Sequence, residues 1–307
     1  MKNLMKSLML ALVVLLAVGC GNNPFSTNPA GMSTEAAALN SETEGMAPVS
    51  NDAPLLLDEG DYYLLGGDIA LNKDDEEHAS MINELNGTAS ALAKTSGMRQ
   101  MFASLWPKGK VAYRLKGFTV AETKIVRAAM DSVQRVCNVL FTAAPASQVN
   151  YVYTITRVKG QSYGGMSTLG YTKKPWCNLN QVIWGTAVHE FLHGLAISHE
   201  HQRFDRDKYV TIYTKNASTC YASQFAIVPQ YLSYKDAKGK VTKYENSRIY
   251  GTYDYASIMH YPTWAFSTNG KATIVSKVAG KTIGQRTTLS KVDRSTLVTL
   301  YGAVVKK

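Results

Sequence analysis

Apolar residues fall along this chain in several distinct rhythms. From Leu8 to Val18 they are continuous, preceded by Lys2 and Lys6 and followed by Gly19 and Cys20. That is the layout of a signal peptide over residues 1–19, and the run is too short to cross a bilayer, which takes about 20 apolar residues. Residues 20–52 hold few large apolar side chains among Ser, Thr, Asn, Gly, Ala and Pro. Such a segment buries too little to offset the entropy of ordering, so a disordered tether is expected. Order is expected again in DEGDYYLLGGDIALN (58–72), which carries the first aromatic cluster. A charged stretch (74–78) and a loose small-residue run ending at Arg99 follow, and exposed segments of that composition are readily nicked by proteases.

From Leu105 the rhythm changes. KVAYRL (110–115) and NYVYTITRV (150–158) place β-branched and aromatic residues at period two, which predicts strands. Between them Thr119-x-x-Glu122 forms a capping box, and Val126, Met130, Val133 and Cys137 continue at three-to-four spacing. This predicts an amphipathic helix of about five turns. A second helix is expected over Gln181–His193, and a third from Ser290, capped with Asp293, to Tyr301. Strands first, then a covering helix, a second helix and a loop-rich tail make an α+β arrangement.

The 307 residues, 45% hydrophobic and 18% charged, suit a globular chain of about two units. Charge divides it. Residues 21–97 carry two lysines against thirteen acids, and residues 98–307 carry 29 Lys or Arg against ten acids. Opposite charge would draw the acidic segment onto the basic one; the alternative is an acidic spacer that touches nothing. Cys137, Cys177 and Cys220 are an odd set, so at most one bridge forms among them. LAVGC, ending at Cys20, resembles a bacterial lipobox, which would make Cys20 a lipid attachment point. The alternative is an ordinary secretory signal that holds a cysteine. Either way the chain is expected to be exported.

The chemistry concentrates in AVHEFLHGLAISHEHQRFDRDKYVTI (187–212). On a helix, His189 and His193 lie about 40° apart on one face, so both imidazoles reach one ion. Glu190, between them, points beside that ion, as a general base acting on metal-bound water would. His199 would be rotated about 240° from His193 on a continued helix, so the chain must turn sharply to bring it in. Three protein ligands and an open position are the catalytic pattern for zinc. Taken alone, the five-residue motif could also be two surface histidines on an amphipathic helix. Of six histidines, however, five fall in two short windows.

These residues resemble the astacins, within the metzincin metallopeptidases. The metzincin signature HExxHxxGxxH is extended in astacins by Glu and Arg-x-Asp-Arg-Asp, and this chain reads His199-Glu200, then Arg203, Asp205, Arg206 and Asp207. YDYASIMHY (253–261) is similar to the family's Met-turn, and the resemblance runs from Leu105-Trp106 through IGQRTTLSKVD (283–293). It implies a two-lobed metzincin-type domain over residues 98–307 that binds one Zn2+ through His189, His193 and His199 and cleaves protein or peptide substrates. Met259 would form the floor beneath the metal. Tyr261 would be a displaceable further ligand that turns to the oxyanion, and Glu200 would pair through solvent with the amino terminus made by activation. Two departures stand out. Ala196 replaces the signature Gly, where positive φ costs a non-Gly residue roughly 1–2 kcal/mol. Cys137 matches a family cysteine whose partner near the C-terminus is missing.

Family zymogens carry a Phe-x-Gly-Asp motif whose Asp coordinates zinc. LGGDI (65–69) is similar, with Leu65 for Phe and Asp68 in the ligand position, although Gly66-Gly67-Asp68 alone reads as a turn. Residues 53–97 would then be an inhibitory pro-segment. It has no cysteine to offer zinc, and His78 is the weaker alternative. An activating protease would cut near residues 94–100 and free the domain from its inhibitor and from any lipid on Cys20, its one membrane contact. A zinc-dependent binding module without turnover is the competing reading, and Glu190 and Tyr261 argue against it. Nucleic acid is not an expected partner because the basic residues form no recognised module. Anionic glycans or acidic proteins fit the charge better, and the family's frequent taste for acidic residues just after the scissile bond would agree.

Overall fold

The computed structural model describes residues 57–65, 68–74, 99–100, 104–235, 241–245 and 247–304. The signal peptide, the tether with Cys20, Gly66, Gly67, His78 and residues 94–98 lie outside these residues, as does the side chain of Cys220. In chain order the strands are β1 (Leu57–Asp58), β2 (Tyr62–Leu65), β3 (Ile69–Asn72), β4 (Arg99–Gln100), β5 (Lys110–Lys116), β6 (Leu140–Ala143) and β7 (Tyr153–Arg157). They continue with β8 (Gly165–Thr168), β9 (Trp176–Leu179), β10 (Val210–Ile212), β11 (Tyr231–Lys235), β12 (Val241–Glu245), β13 (Ser247–Arg248) and β14 (Ile274–Ser276). The α-helices are α1 (Val120–Gln134), α2 (Trp184–Gly194) and α3 (Lys291–Tyr301). The fold is α+β.

The two strands read from alternation are β5 and β7. They pair in parallel, Tyr113 opposite Tyr153, beside the β6 edge of an eight-stranded sheet ordered β1-β2-β3-β8-β9-β7-β5-β6. Within it β8 runs antiparallel to β9, and β3 joins the free side of β8 in parallel, Ile69 opposite Ser167. The described residues of the acidic segment in β3 therefore lie against the basic one. Leu64, Leu65, Ile69, Ala70 and Leu71 are buried there, and Trp176 Nε1 donates to Asn72 Oδ1 at 2.8 Å.

Helix α1 begins as expected. Thr119 Oγ1 accepts from Glu122 N at 3.2 Å and Glu122 Oε2 accepts from Thr119 N at 2.9 Å. It ends a turn early, because Cys137 forms a β-bridge with Ala303 and Asn138 N donates to Gly302 O at 2.9 Å. The backbone contact thus joins Cys137 to the chain end without a disulfide. Helix α2 starts three residues later than expected, because Gln181 N is held by Gly164 O at 2.7 Å. Every residue of α2 after Trp184 is buried. With α1 it covers the sheet through Val126, Met130, Val133, Phe191 and Leu192, and α3 closes the cluster with Leu297 and Tyr301. Helix α3 is capped by the expected Ser290–Asp293 box. A separate cluster of Val210, Phe225, Tyr253, Tyr261, Phe266 and Ile274 fills the loop-rich half.

Candidate active site

The site forms where α2 stops. Gly194 ends the helix, and a Cβ there would lie 2.6 Å from Tyr153 Oη, so the close approach of β7 requires a glycine. Two residues on, Ala196 takes φ +70°, the left-handed conformation expected of the signature Gly. Its N–H bonds His193 O at 2.8 Å and Ile197 N bonds Leu192 O at 2.9 Å, which reverses the chain. The turn returns His199 to His189 and His193.

The three Nε2 atoms converge: His189 to His193 3.2 Å, His193 to His199 3.2 Å, His199 to His189 3.3 Å. Each Nδ1 donates outward, to Ile258 O at 2.8 Å, Ile197 O at 2.7 Å and Gln202 Oε1 at 3.1 Å respectively. That fixes the tautomers and leaves three unprotonated Nε2 lone pairs facing one another, an arrangement that needs a cation between them. The Asp68 carboxylate supplies the fourth side, Oδ2 lying 3.1 Å from His189 Nε2 and Oδ1 2.9 Å from His199 Nε2 and 3.4 Å from His193 Nε2. Edges near 3.3 Å belong to a tetrahedron whose centre lies about 2.0 Å from each vertex, the Zn–N distance. The donor set Asp68, His189, His193 and His199 fits one zinc ion.

Charge agrees with geometry. Burial lowers His193 and, together with the Arg286 charge, lowers His189 to about 3, so these imidazoles stay neutral and able to bind metal.

The sequence model of the peptidase family described as Astacin matches residues 98–302, two thirds of the chain. The chain belongs to the astacin family. Zinc metalloproteinase nas-15 of Caenorhabditis elegans is 32% identical over 206 residues, 66% of this chain and 33% of the relative. For nas-7 of the same organism the figures are 28% over 214 residues, 67% and 50%. Among solved structures, high choriolytic enzyme 1, a hatching enzyme zinc-protease from Oryzias latipes (medaka fish), matches with TM-score 0.53 and 25% identity, covering 66% of this chain and 94% of that one. The chain spans a third to a half of the length of these two curated relatives.

Around the astacin histidines lie the other residues singled out in the sequence. Glu190 is 1% exposed, and its Oε2 has no hydrogen-bond partner among the described residues. Burial, then the Asp68 charge, raises its carboxyl well above the usual range. Beside it opens a cavity of about 140 Å³ lined by Thr186, Ile183, Tyr163 and Arg286. Tyr261 is fully buried, its ring 4.0 Å from that of His201 and 4.6 Å from that of His199. Burial, then the Asp68 charge, raises its hydroxyl well above the ordinary value, which keeps it a neutral donor. Met259 is 1% exposed in the core, and its O accepts from Glu200 N at 3.1 Å. Glu200 is buried at the edge of a small cavity it shares with Ser198, Tyr250, Ser257 and Asp293. Its Oε1 accepts from Arg203 Nη1 at 3.0 Å and from Asp254 N at 2.8 Å. Burial nonetheless pushes this carboxyl up to about 8.

Three residues of the site were assigned no such part in the sequence. Arg286 bonds His260 O at 3.0 Å and places its charge beside Asp68, Glu190 and Tyr261. Asp293 caps α3 and also holds the Met-turn, accepting from Ser257 Oγ at 2.6 Å and Ile258 N at 2.9 Å. Both lie in IGQRTTLSKVD, whose resemblance was visible while these roles were not. Gly165 lies against Glu190 with no motif to mark it.

Proposed function

We propose that this chain is the precursor of a secreted zinc endopeptidase whose pro-segment blocks its own metal site. The observation that carries the reading is the convergence of three Nε2 atoms beside a buried carboxylate at the mouth of a cavity. His189, His193 and His199 would hold a zinc ion, which would supply Lewis acidity and make a water acidic enough to ionise near neutral pH. Glu190 takes the proton from the attacking water and delivers it to the leaving amine. Tyr261, neutral and within the histidine stack, donates to the developing oxyanion. A binding module without turnover would need neither residue.

Arg286 lines the cavity next to Glu190, and its charge supports selection of acidic side chains just beyond the scissile bond. That gives the expected acidic substrates a specific contact. In the precursor Asp68 takes the vertex that the attacking water needs, and β3 holds it there. Cleavage near residues 94–100 releases the block. The amino terminus so made pairs with Glu200, whose raised carboxyl marks a buried acid short of positive charge. Arg99 pairs with Arg248, two residues before Tyr250, which lines the small cavity at Glu200. Export through residues 1–19, with or without a lipid on Cys20, completes the reading. Among the described residues no helix is long and apolar enough to cross a membrane.

The test is digestion of a peptide library by zinc-loaded protein beginning at residue 98, beside its Glu190→Ala variant. The unsubstituted protein should cleave, favouring acidic residues after the cut, and the variant should lose roughly 10²–10⁴-fold in kcat. Equal cleavage by both rules out the mechanism. Full-length Asp68→Ala should cleave without truncation, whereas full-length wild type should not.

A further inference from the structure

We infer that Gly165 is a positioning residue for Glu190: strand β8 crosses the Glu190 side chain so closely that only a residue without a Cβ leaves the carboxylate its place beside the histidines. A Cβ at 165 would lie 2.6 Å from Glu190 Cγ, 2.6 Å from Oε1 and 2.8 Å from Cδ. Non-bonded carbons settle about 3.5–4.0 Å apart, so something must give by about 1 Å. The inference rests on Glu190 being the proton acceptor.

The strand cannot give. Gly165 pairs with Leu179 of β9, Met166 with Asn178 and Ser167 with Cys177, and β3 pairs with β8 from the other side. All four residues of β8 are buried. The helix cannot give either, since α2 is buried along its length, with Gly185 packed against the backbone of Arg286 and Gly194 against Tyr153. A Cβ at Gly185 would meet Arg286 O at 1.8 Å, so retreat from β8 is closed on that side. What remains free is the Glu190 side chain, whose Oε2 has no hydrogen-bond partner among the described residues to hold it. Gly165 walls the carboxylate in from one direction, and adding a methyl group there would swing it out of line.

Backbone freedom is not the reason for this glycine. Gly165 lies in a regular strand and outside the positive-φ region, so alanine suits its backbone. A glycine inside a strand costs roughly 0.5–1 kcal/mol relative to alanine and signals close approach of another group. Here that group is the reacting carboxylate.

The experiment uses the full chain, activated by limited proteolysis, as wild type, Gly165→Ala, Glu190→Ala and the double variant. Zinc content, kcat, KM and denaturation midpoint are measured, and crystal structures are determined for wild type and Gly165→Ala. Gly165→Ala should keep one zinc per chain and a KM within about twofold of wild type. Its kcat should fall on the order of 100-fold, as expected for a misplacement near 1 Å. In the crystal the Glu190 carboxylate should be displaced with the three histidines unmoved. In the Glu190→Ala background, where no Cγ remains to clash, Gly165→Ala should lower neither kcat nor the denaturation midpoint further. A purely structural glycine would cost the same in both backgrounds, and that result overturns the inference. So does a Glu190 side chain found in its wild-type position against the added methyl group. If Gly165→Ala fails to fold, the double variant should fold, and failure of both again overturns it. Should wild type cleave nothing, the peptidase reading fails, while the crystal structures still decide whether Gly165 sets the position of Glu190.

Discussion

Backbone groups in the half from β5 to α2 are satisfied by ladders and helical turns, and the core between them is built from apolar side chains such as Val126, Met130, Ile155, Phe191 and Leu192. In the half from His199 to Leu289 the described strands are paired only in twos, and buried polar side chains take over. Arg206 Nη1 donates to His201 O and Phe225 O. Arg203 Nη2 reaches Gly251 O at 3.2 Å, Asn216 Nδ2 reaches Ala272 O at 2.7 Å and Thr273 Oγ1 reaches Ala265 O at 2.7 Å. Each of these is a side chain doing for one or two carbonyls what a neighbouring strand would otherwise do. The difference shows why an Arg-x-Asp-Arg run follows the third histidine. His199 comes from a segment with no regular structure to place it, so buried arginines fix the loops around it.

The largest expected effect breaks or supports that contrast directly. Arg206→Met keeps much of the side-chain volume but leaves two buried carbonyls without a donor, at roughly 1–3 kcal/mol each, so a loss of about 3 kcal/mol is expected. Ile155→Val, which removes one methylene from the sheet half, should cost about 1 kcal/mol. Urea denaturation at saturating zinc measures both. A smaller loss for Arg206→Met than for Ile155→Val would mean that the loop half is held by its aromatic cluster and not by its arginines.

The same contrast explains what could be read in advance. Period-two alternation marked β5 and β7, and capping boxes marked the starts of α1 and α3, because those signals come from local backbone geometry. Cys137 continued the helical spacing and misled, since it is buried against α1 but held by Ala303, a contact 166 residues away that no local pattern carries. In the loop half nothing periodic exists: His199 was read from its spacing to His193, and roles for Met259 and Tyr261 were suggested only through a resemblance. Arg286 and Asp293 lay inside the resembling stretch, yet their contacts with His260 and with Ser257 depend on how the tail folds back. Gly165 was invisible, because what it excludes sits on a helix 25 residues further on.

At the seam between the halves, Ala196 holds φ +70°. A Cβ in that region costs roughly 1–2 kcal/mol, and glycine returns part of the gain by loosening the unfolded chain, by about 0.4–1 kcal/mol. Ala196→Gly should therefore stabilise the protein by about 0.5–1 kcal/mol and raise Tm by about 2–3 °C, with kcat unchanged. A lower Tm would mean that the neighbouring core favours the Ala196 methyl enough to outweigh the strain. The seam would then be held by packing, as the sheet half is.

The smallest effect concerns the one strongly shifted carboxylate of the sheet half outside the metal site. Glu122 Oε2 accepts from Thr119 N at the start of α1, and Oε1 accepts from Arg157 Nε of β7 at 2.7 Å. The Thr119 backbone bond, then Arg157, lowers this carboxyl from 4.5 to about 2. A folded-state pKa below the unfolded value means that the contribution is complete above pH 4.5 and is lost as pH falls towards 2. Glu122→Gln keeps an acceptor for Thr119 but removes the charge, so its Tm should trail wild type by about 2 °C at about pH 6, and the gap should narrow to roughly half or less as both are taken to about pH 3. Arg206 works through carbonyl acceptors, which do not titrate, so the deficit of Arg206→Met should stay level over the same window. A flat gap for Glu122→Gln would put its role down to shape alone, and a gap that closes for Arg206→Met would transfer that arginine's part from the carbonyls to its partner Asp207.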